Sequence, residues 1–203
     1  MDAKENKKEQ ILKAASGVFA RYGFNKTTMD DIGELVGIKK NSLYHYFANK
    51  EDIFCAIIVM DAEEYFSTLQ AVLSEENTAA EKLMKYVQFT SDYWREKVNS
   101  YQLVTSMQAE IVKRIASLYD VSIQRQKIIV QDILNEGIHK SEFISHDAKQ
   151  LSEDLIDMSA SIEHWEYHRQ RMSHYDENYF NENKRKKMNL LNLIIKGLEK
   201  PKK

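Results

Sequence analysis

The sequence predicts an all-α chain, and three observations predict it. Pro201 is the only proline in 203 residues and there are six glycines, so the interior is almost free of helix breakers. Residues of high helix propensity, Leu, Met, Glu, Lys and Gln, are plentiful. Apolar residues also recur at the 3.6-residue spacing that gives a helix one buried face. With 43% hydrophobic and 30% charged residues, the chain has material for one large or two small packed domains.

From Glu9 to Tyr22, residues Ile11, Leu12, Ala15, Val18, Phe19 and Tyr22 form an apolar stripe, and Gly23 is the stop. Thr27-Thr28 supplies a hydroxyl cap before Asp30 and Asp31, whose charge suits a first turn, and Ile32, Leu35 and Val36 make a second stripe up to Gly37. A tight turn at Gly37-Ile38 then leads into a third helix, Lys39 to Phe47, anchored by Leu43, Tyr44 and Phe47. Asn49 caps a long connecting helix that runs to Leu73. Further helices are predicted at Ala79 to Val98, Tyr101 to Leu118, Val121 to Glu136 with Gly137 as stop, His146 to Met172 and Asn178 to Leu198, about nine in all.

A net charge of -2 conceals an asymmetry. Residues 1–50 hold nine Lys/Arg against six Asp/Glu, which leaves 20 against 25 for the remainder of the totals of 29 and 31. A basic head on an acidic body suits a polyanion-binding module joined to a part that avoids nucleic acid. Cys55 is the single cysteine, so an intrachain disulfide or a cysteine-based zinc cluster is excluded, in keeping with a reducing compartment. The N-terminus lacks the apolar stretch of a signal peptide, and no apolar run approaches the roughly 20 residues of a spanning helix. The expectation is a cytoplasmic protein without membrane contact.

Three short helices in under forty residues, with Gly37 in the turn between the second and third, form a helix-turn-helix. A helix entering the major groove needs donors and small polar groups outward and apolar anchors inward. Lys39, Lys40, Asn41 and Ser42, at the start of the third helix, are the candidate base contacts; Asn41 could pair with adenine and Lys40 with guanine. The order from Thr27-Thr28-Met29-Asp30-Asp31-Ile32 through Gly37-Ile38-Lys39-Lys40-Asn41-Ser42-Leu43-Tyr44-His45-Tyr46-Phe47 to Asn49-Lys50-Glu51-Asp52-Ile53 resembles the TetR family of transcriptional regulators. The resemblance implies a DNA-binding domain over 1–50 and a helical effector-binding and dimerisation domain over 51–203. It implies a ligand-responsive repressor that binds a pseudo-palindromic operator as a homodimer, without enzymatic activity or cofactor. It also assigns Thr28, Tyr44, His45 and Lys50 to backbone phosphates, which fix register without reading sequence. Gly33 stands where the family usually has alanine, which would loosen the second helix by up to about 1 kcal/mol. Asn41 replaces a residue that is commonly small, which would alter base preference.

In the last two helices a 3–4 spacing persists over several turns: Leu151, Leu155, Met158 and Ile162, then Met188, Leu191, Ile195 and Leu198. Such seams face either the chain's own core or a second copy, and a two-fold four-helix interface is the favoured reading. Phe89, Tyr93, Trp94 and Met107 are candidates to line a cavity for a small, largely apolar effector, against the ordinary alternative that they are core. His164 and His168 share one helix face and allow an alternative helical metalloprotein, although the glutamate arrangement of a helical zinc enzyme is missing and the favoured reading holds no metal. Cys55 reads as a small buried hydrophobe. A helix-turn-helix used only for protein contact is a third possibility, separated from the first by salt-dependent retention on DNA.

Overall fold

The computed structural model describes the backbone of residues 3–100, 109–170 and 177–200, and side chains within 4–96, 111, 113–162 and 177–200. Among the described residues eight helices follow in order: α1 (Ala3–Tyr22), α2 (Met29–Val36), α3 (Lys40–Leu43), α4 (Lys50–Ser74), α5 (Ala79–Ser100), α6 (Ala109–His139), α7 (Ala148–Gln170) and α8 (Glu177–Leu198). No strand occurs among the described residues; one antiparallel bridge pairs Phe143 with Glu199.

Helix ends follow local chemistry. Gly23 takes a positive φ of 78° and its N–H donates to the Phe19 carbonyl at 2.9 Å, closing α1. Asn49 Oδ1 accepts from the Asp52 N–H at 2.7 Å and opens α4. Thr78 and Glu81 form a reciprocal cap on α5, and Asp147 Oδ1 accepts from the Gln150 N–H ahead of α7.

Two of the predicted helices merge. Where separate helices at Tyr101 to Leu118 and Val121 to Glu136 are predicted, α6 runs unbroken through Leu118-Tyr119-Asp120-Val121, which contains neither glycine nor proline to stop it. Gly137 is no stop either. It lies inside α6, buried, and a Cβ there would press into the Phe143 ring and come within 2.8 Å of the Ala79 Cβ. Phe143 is itself fully buried, so its ring has little room to give. Gly137→Ala is therefore expected to destabilise the protein by about 1–3 kcal/mol in thermal unfolding, although alanine is the better helix former by about 1 kcal/mol.

The chain separates into two compact units, residues 1–64 with 97–120, and residues 65–96 with 121–203. This division differs from the expected boundary after residue 50: the first turns of α4 and of α6 belong with the N-terminal unit. The core of that unit gathers Ile11, Ala15, Ile32, Leu43, Ile57 and Ile111 around three mutually packed rings, Phe19, Phe24 and Phe54, with centroids 5.1–5.5 Å apart. Two residues predicted to be buried are exposed instead, Tyr22 at 52% and Leu35 at 62%. Each stands at the margin of its helix's apolar stripe, where one further 100° step turns a side chain to solvent.

The second unit packs the later part of α4, α5, the later part of α6, α7 and α8 around Leu69, Leu83, Val130, Leu134, Phe143 and Leu191. The seams predicted for a dimer lie largely in this core. Leu155, Leu191, Ile195 and Leu198 are buried within the single chain, and Leu151, Met158 and Met188 pack against the same cluster, half-buried like Ile162. A 3–4 spacing shows that a helix has one apolar face; it does not show which surface that face meets, and here much of it meets the chain's own helices. The outward side of α8 instead carries Leu193, 65% exposed, and Leu190.

Candidate nucleic-acid interface

The site grows from three consecutive turns. Thr28 caps α2: its hydroxyl accepts from the Asp31 N–H at 3.2 Å, and the Asp31 carboxylate accepts from the Thr28 N–H and hydroxyl at 2.7 Å each. These bonds hold the Asp31 carboxyl below the usual carboxylate range, the side-chain bond to Thr28 being the larger cause. Gly37 then closes α2 in the left-handed conformation at φ 73°, donating to the Glu34 carbonyl, and the Ile38 N–H reaches the Gly33 carbonyl at 2.9 Å.

Gly33 does more than loosen α2. A Cβ at this position would stand 2.8 Å from the Ile38 carbonyl oxygen and 3.6 Å from the Lys40 nitrogen. Its missing side chain lets the start of α3 close against α2, so an alanine would push that turn apart.

The third helix is shorter than predicted. It spans Lys40–Leu43, and tighter turns through Tyr46 follow, with His45 N–H to Ser42 O and Tyr46 N–H to Leu43 O. Lys39 provides no side-chain cap, and Asn41 and Ser42 are weak helix formers, so nothing local sustains a longer helix. Leu43 is fully buried, and Tyr46 and Phe47 pack against the same core. Tyr44, predicted as an inward anchor, is 46% exposed; the tight turn rotates Tyr46 inward in its place.

The result is a short exposed row. Lys39, Lys40, Asn41, Tyr44 and His45 are exposed, Ser42 is half-buried, and Thr28 is exposed at the head of α2. Lys40 Nζ meets the Asp30 carboxylate at 2.7 Å, a bridge between α3 and α2. Both partners are open to solvent, so the bridge is weak and yields readily to a competing acceptor. Lys50 differs from these. Its ammonium donates to the carbonyls of Phe24 at 2.9 Å, Thr27 at 3.0 Å and Asn25 at 3.4 Å, and lies 4.5 Å from the centre of the Phe24 ring. All three of its donors face the α1–α2 loop. Nothing in the sequence pattern signals this fold-back, because the partners are main-chain carbonyls over twenty residues upstream. Burial raises the Cys55 thiol above its ordinary value, as suits a core residue.

In the second unit, Tyr65, Phe89 and Tyr93 pack as tilted and edge-on rings with centroids 4.9–6.0 Å apart, and Trp94 is half-buried. Met107 lies outside the described residues, as do the side chains of His164 and His168. The unit has a small internal cavity of about 20 Å3 beside Leu83, Val130, Leu155, Lys187 and Leu191. It also has a groove of about 460 Å3 along Phe66, Leu73, Arg125, Ile129 and Ile133. Phe89, Tyr93 and Trp94 line neither. Among the described residues no three His, Cys, Asp or Glu side chains gather as a metal site, and no helix is long and apolar enough to cross a membrane.

A buried three-helix core that presents a short row of donors beyond a glycine turn defines a helix-turn-helix DNA-binding regulator. Residues 11–57 match the bacterial regulatory proteins, tetR family, and the relatives that extend over most of the chain are transcriptional regulators. A crystal structure of a transcriptional regulator from Cytophaga hutchinsonii superposes with a TM-score of 0.81 at 27% identity, covering 95% of this chain and 98% of that one. The Fatty acid metabolism regulator protein of Bacillus subtilis is 28% identical over 70% of this chain and 73% of its own length. The HTH-type transcriptional activator FasR of Mycolicibacterium smegmatis is 22% identical over 80% of this chain and 73% of its own.

Proposed function

We propose that this chain is a homodimeric, ligand-responsive repressor whose two α2–α3 motifs occupy successive major grooves of a pseudo-palindromic operator, about 34–36 Å apart or a multiple of that. The observation that carries the reading is the exposed row Lys39, Lys40, Asn41, Tyr44 and His45 held over the buried Leu43. Lys39, Lys40, Asn41 and Ser42 read base edges, while Thr28, Tyr44 and His45 grip the backbone. Lys50 acts differently from its expected phosphate role: its bonds to three loop carbonyls favour a part in positioning α2. The second copy docks on the outward face of α8 around Leu190 and Leu193.

An effector in the second unit controls the pairing by population shift: a ligand that favours a conformation with wrongly spaced motifs lowers operator affinity through its differential binding alone. A relative's designation as a fatty acid metabolism regulator supports a small, largely apolar effector. A cytoplasmic site of action follows from the DNA partner. The test is selection of bound fragments from the source genome by the wild type and by Asn41→Ala. The substitution is expected to change the preferred sequence at one position of each half-site, by about 1–3 kcal/mol of discrimination. An unchanged preference would remove Asn41 from the readout.

A further inference from the structure

The two adjacent lysines at the start of α3 are held differently. Lys39 forms no ion pair among the described residues, whereas the Lys40 ammonium lies 2.7 Å from the Asp30 carboxylate, ten residues upstream on α2. The packing of the turn sets this reach. Asp30 and Gly33 are three positions apart and so share one face of α2. The bare Cα of Gly33 admits the Ile38 carbonyl and the Lys40 nitrogen, at 2.8 and 3.6 Å from where a Cβ would stand, and α3 comes in beside Asp30. The capping box of α2 is complete with Thr28 and Asp31, so Asp30 is left over from it, and its carboxylate meets Lys40 alone among the described residues.

A bridge this open adds little stability: the side chains of Lys40 and Asp30 are 44% and 65% exposed. Its consequence lies in what Lys40 can bind. The hydrogen bond to Asp30 raises the pKa of the ammonium, which therefore stays charged. An ammonium has three donors; one is directed to Asp30, which leaves two for a ligand and restrains the end of a flexible side chain. A phosphate that took those two donors would stand beside the carboxylate, where like charges repel. A base edge is neutral and offers acceptors, the O6 and N7 of guanine, so it can meet the lysine with the carboxylate still in place.

We propose that Asp30 is a positioning residue for sequence readout: it holds Lys40, repels phosphate from it, and so turns a general polyanion contact into a base contact. The carboxylate, of the wrong sign for a DNA-binding face, thereby raises the preference for operator over unrelated DNA by weakening the unrelated complex more than the specific one. This deepens the assignment of Lys40 to a base edge and rests on it.

The test measures affinity of the full chain for a selected operator fragment and for a shuffled duplex of the same length, across salt concentrations, with the wild type, Asp30→Asn and Asp30→Glu. Asp30→Asn is expected to bind the shuffled duplex about three- to tenfold more tightly, with a salt slope steeper by about one unit, because Lys40 is released to a phosphate. Operator affinity should change by less than about twofold, so the preference falls. Asp30→Glu, which restores the charge, should keep most of the wild-type preference. In a Lys40→Met background Asp30→Asn should leave the preference within about twofold, since the carboxylate acts through that lysine. Asp30 is exposed and outside the cap, so each variant should melt with the wild type. An equal gain on both duplexes, an unchanged preference, a glutamate variant as unselective as the asparagine one, or the same loss of preference without Lys40 would each overturn the role of Asp30. A wild type that prefers no fragment would overturn the base-reading role of Lys40 and the proposal with it, so the two failures are distinct.

Discussion

Replacing Lys50 by methionine should lower the stability of the N-terminal unit by about 2–4 kcal/mol and leave the salt dependence of DNA binding unaltered at a temperature where that unit is folded. The ammonium holds the carbonyls of Phe24, Asn25 and Thr27 and lies over the Phe24 ring, which packs with Phe19 and Phe54. Methionine preserves most of the stem but leaves partly buried carbonyls without a charged donor, and the loop that delivers the Thr28 cap loses its anchor. Unfolding followed by circular dichroism and affinity measured across salt concentrations read the two effects separately. A salt slope shallower by about one unit with unchanged stability would return Lys50 to the phosphates.

Two leucines on α8, two positions apart, should respond in opposite ways to glutamate. Leu191 is 2% exposed in the core of the second unit, and Leu191→Glu places a charge among apolar side chains. A loss of more than about 4 kcal/mol, and with it the fold of that unit, is expected. Leu193 points outward, so Leu193→Glu should retain helicity and melting temperature while light scattering reports monomers. A fully dimeric, well-folded Leu193→Glu protein would place the interface elsewhere than the outer face of α8.

These expectations turn on how different features are written in the sequence. Caps and stops depend on residues within four positions of one another, so Gly23, Thr28, Gly37 and Asn49 mark their helix ends directly. Features decided by distant chain segments are not written so locally. Gly137 looks like a stop, yet Phe143 and Ala79 require its missing Cβ. Leu155, Leu191 and Ile195 form a clear stripe, but what covers the stripe is a tertiary fact. Tyr46 takes the inward place expected of Tyr44 because α3 gives way to tighter turns, which shifts the phase on which an inward or outward assignment depends. Lys50 shows the same limit for a candidate site residue: its place in the motif suggests phosphate, and its geometry suggests the loop.

The salt dependence of affinity for a selected operator fragment, compared between the wild type and a Lys39→Ala/Lys40→Ala double variant, tests most directly whether DNA is held through α3. The logarithm of the wild-type binding constant should fall linearly with the logarithm of salt concentration, and the double variant should bind the operator more weakly at every salt concentration and discriminate less between the operator and unrelated DNA. Equal affinities and equal slopes for the two folded proteins would contradict the assignment of α3 to the DNA.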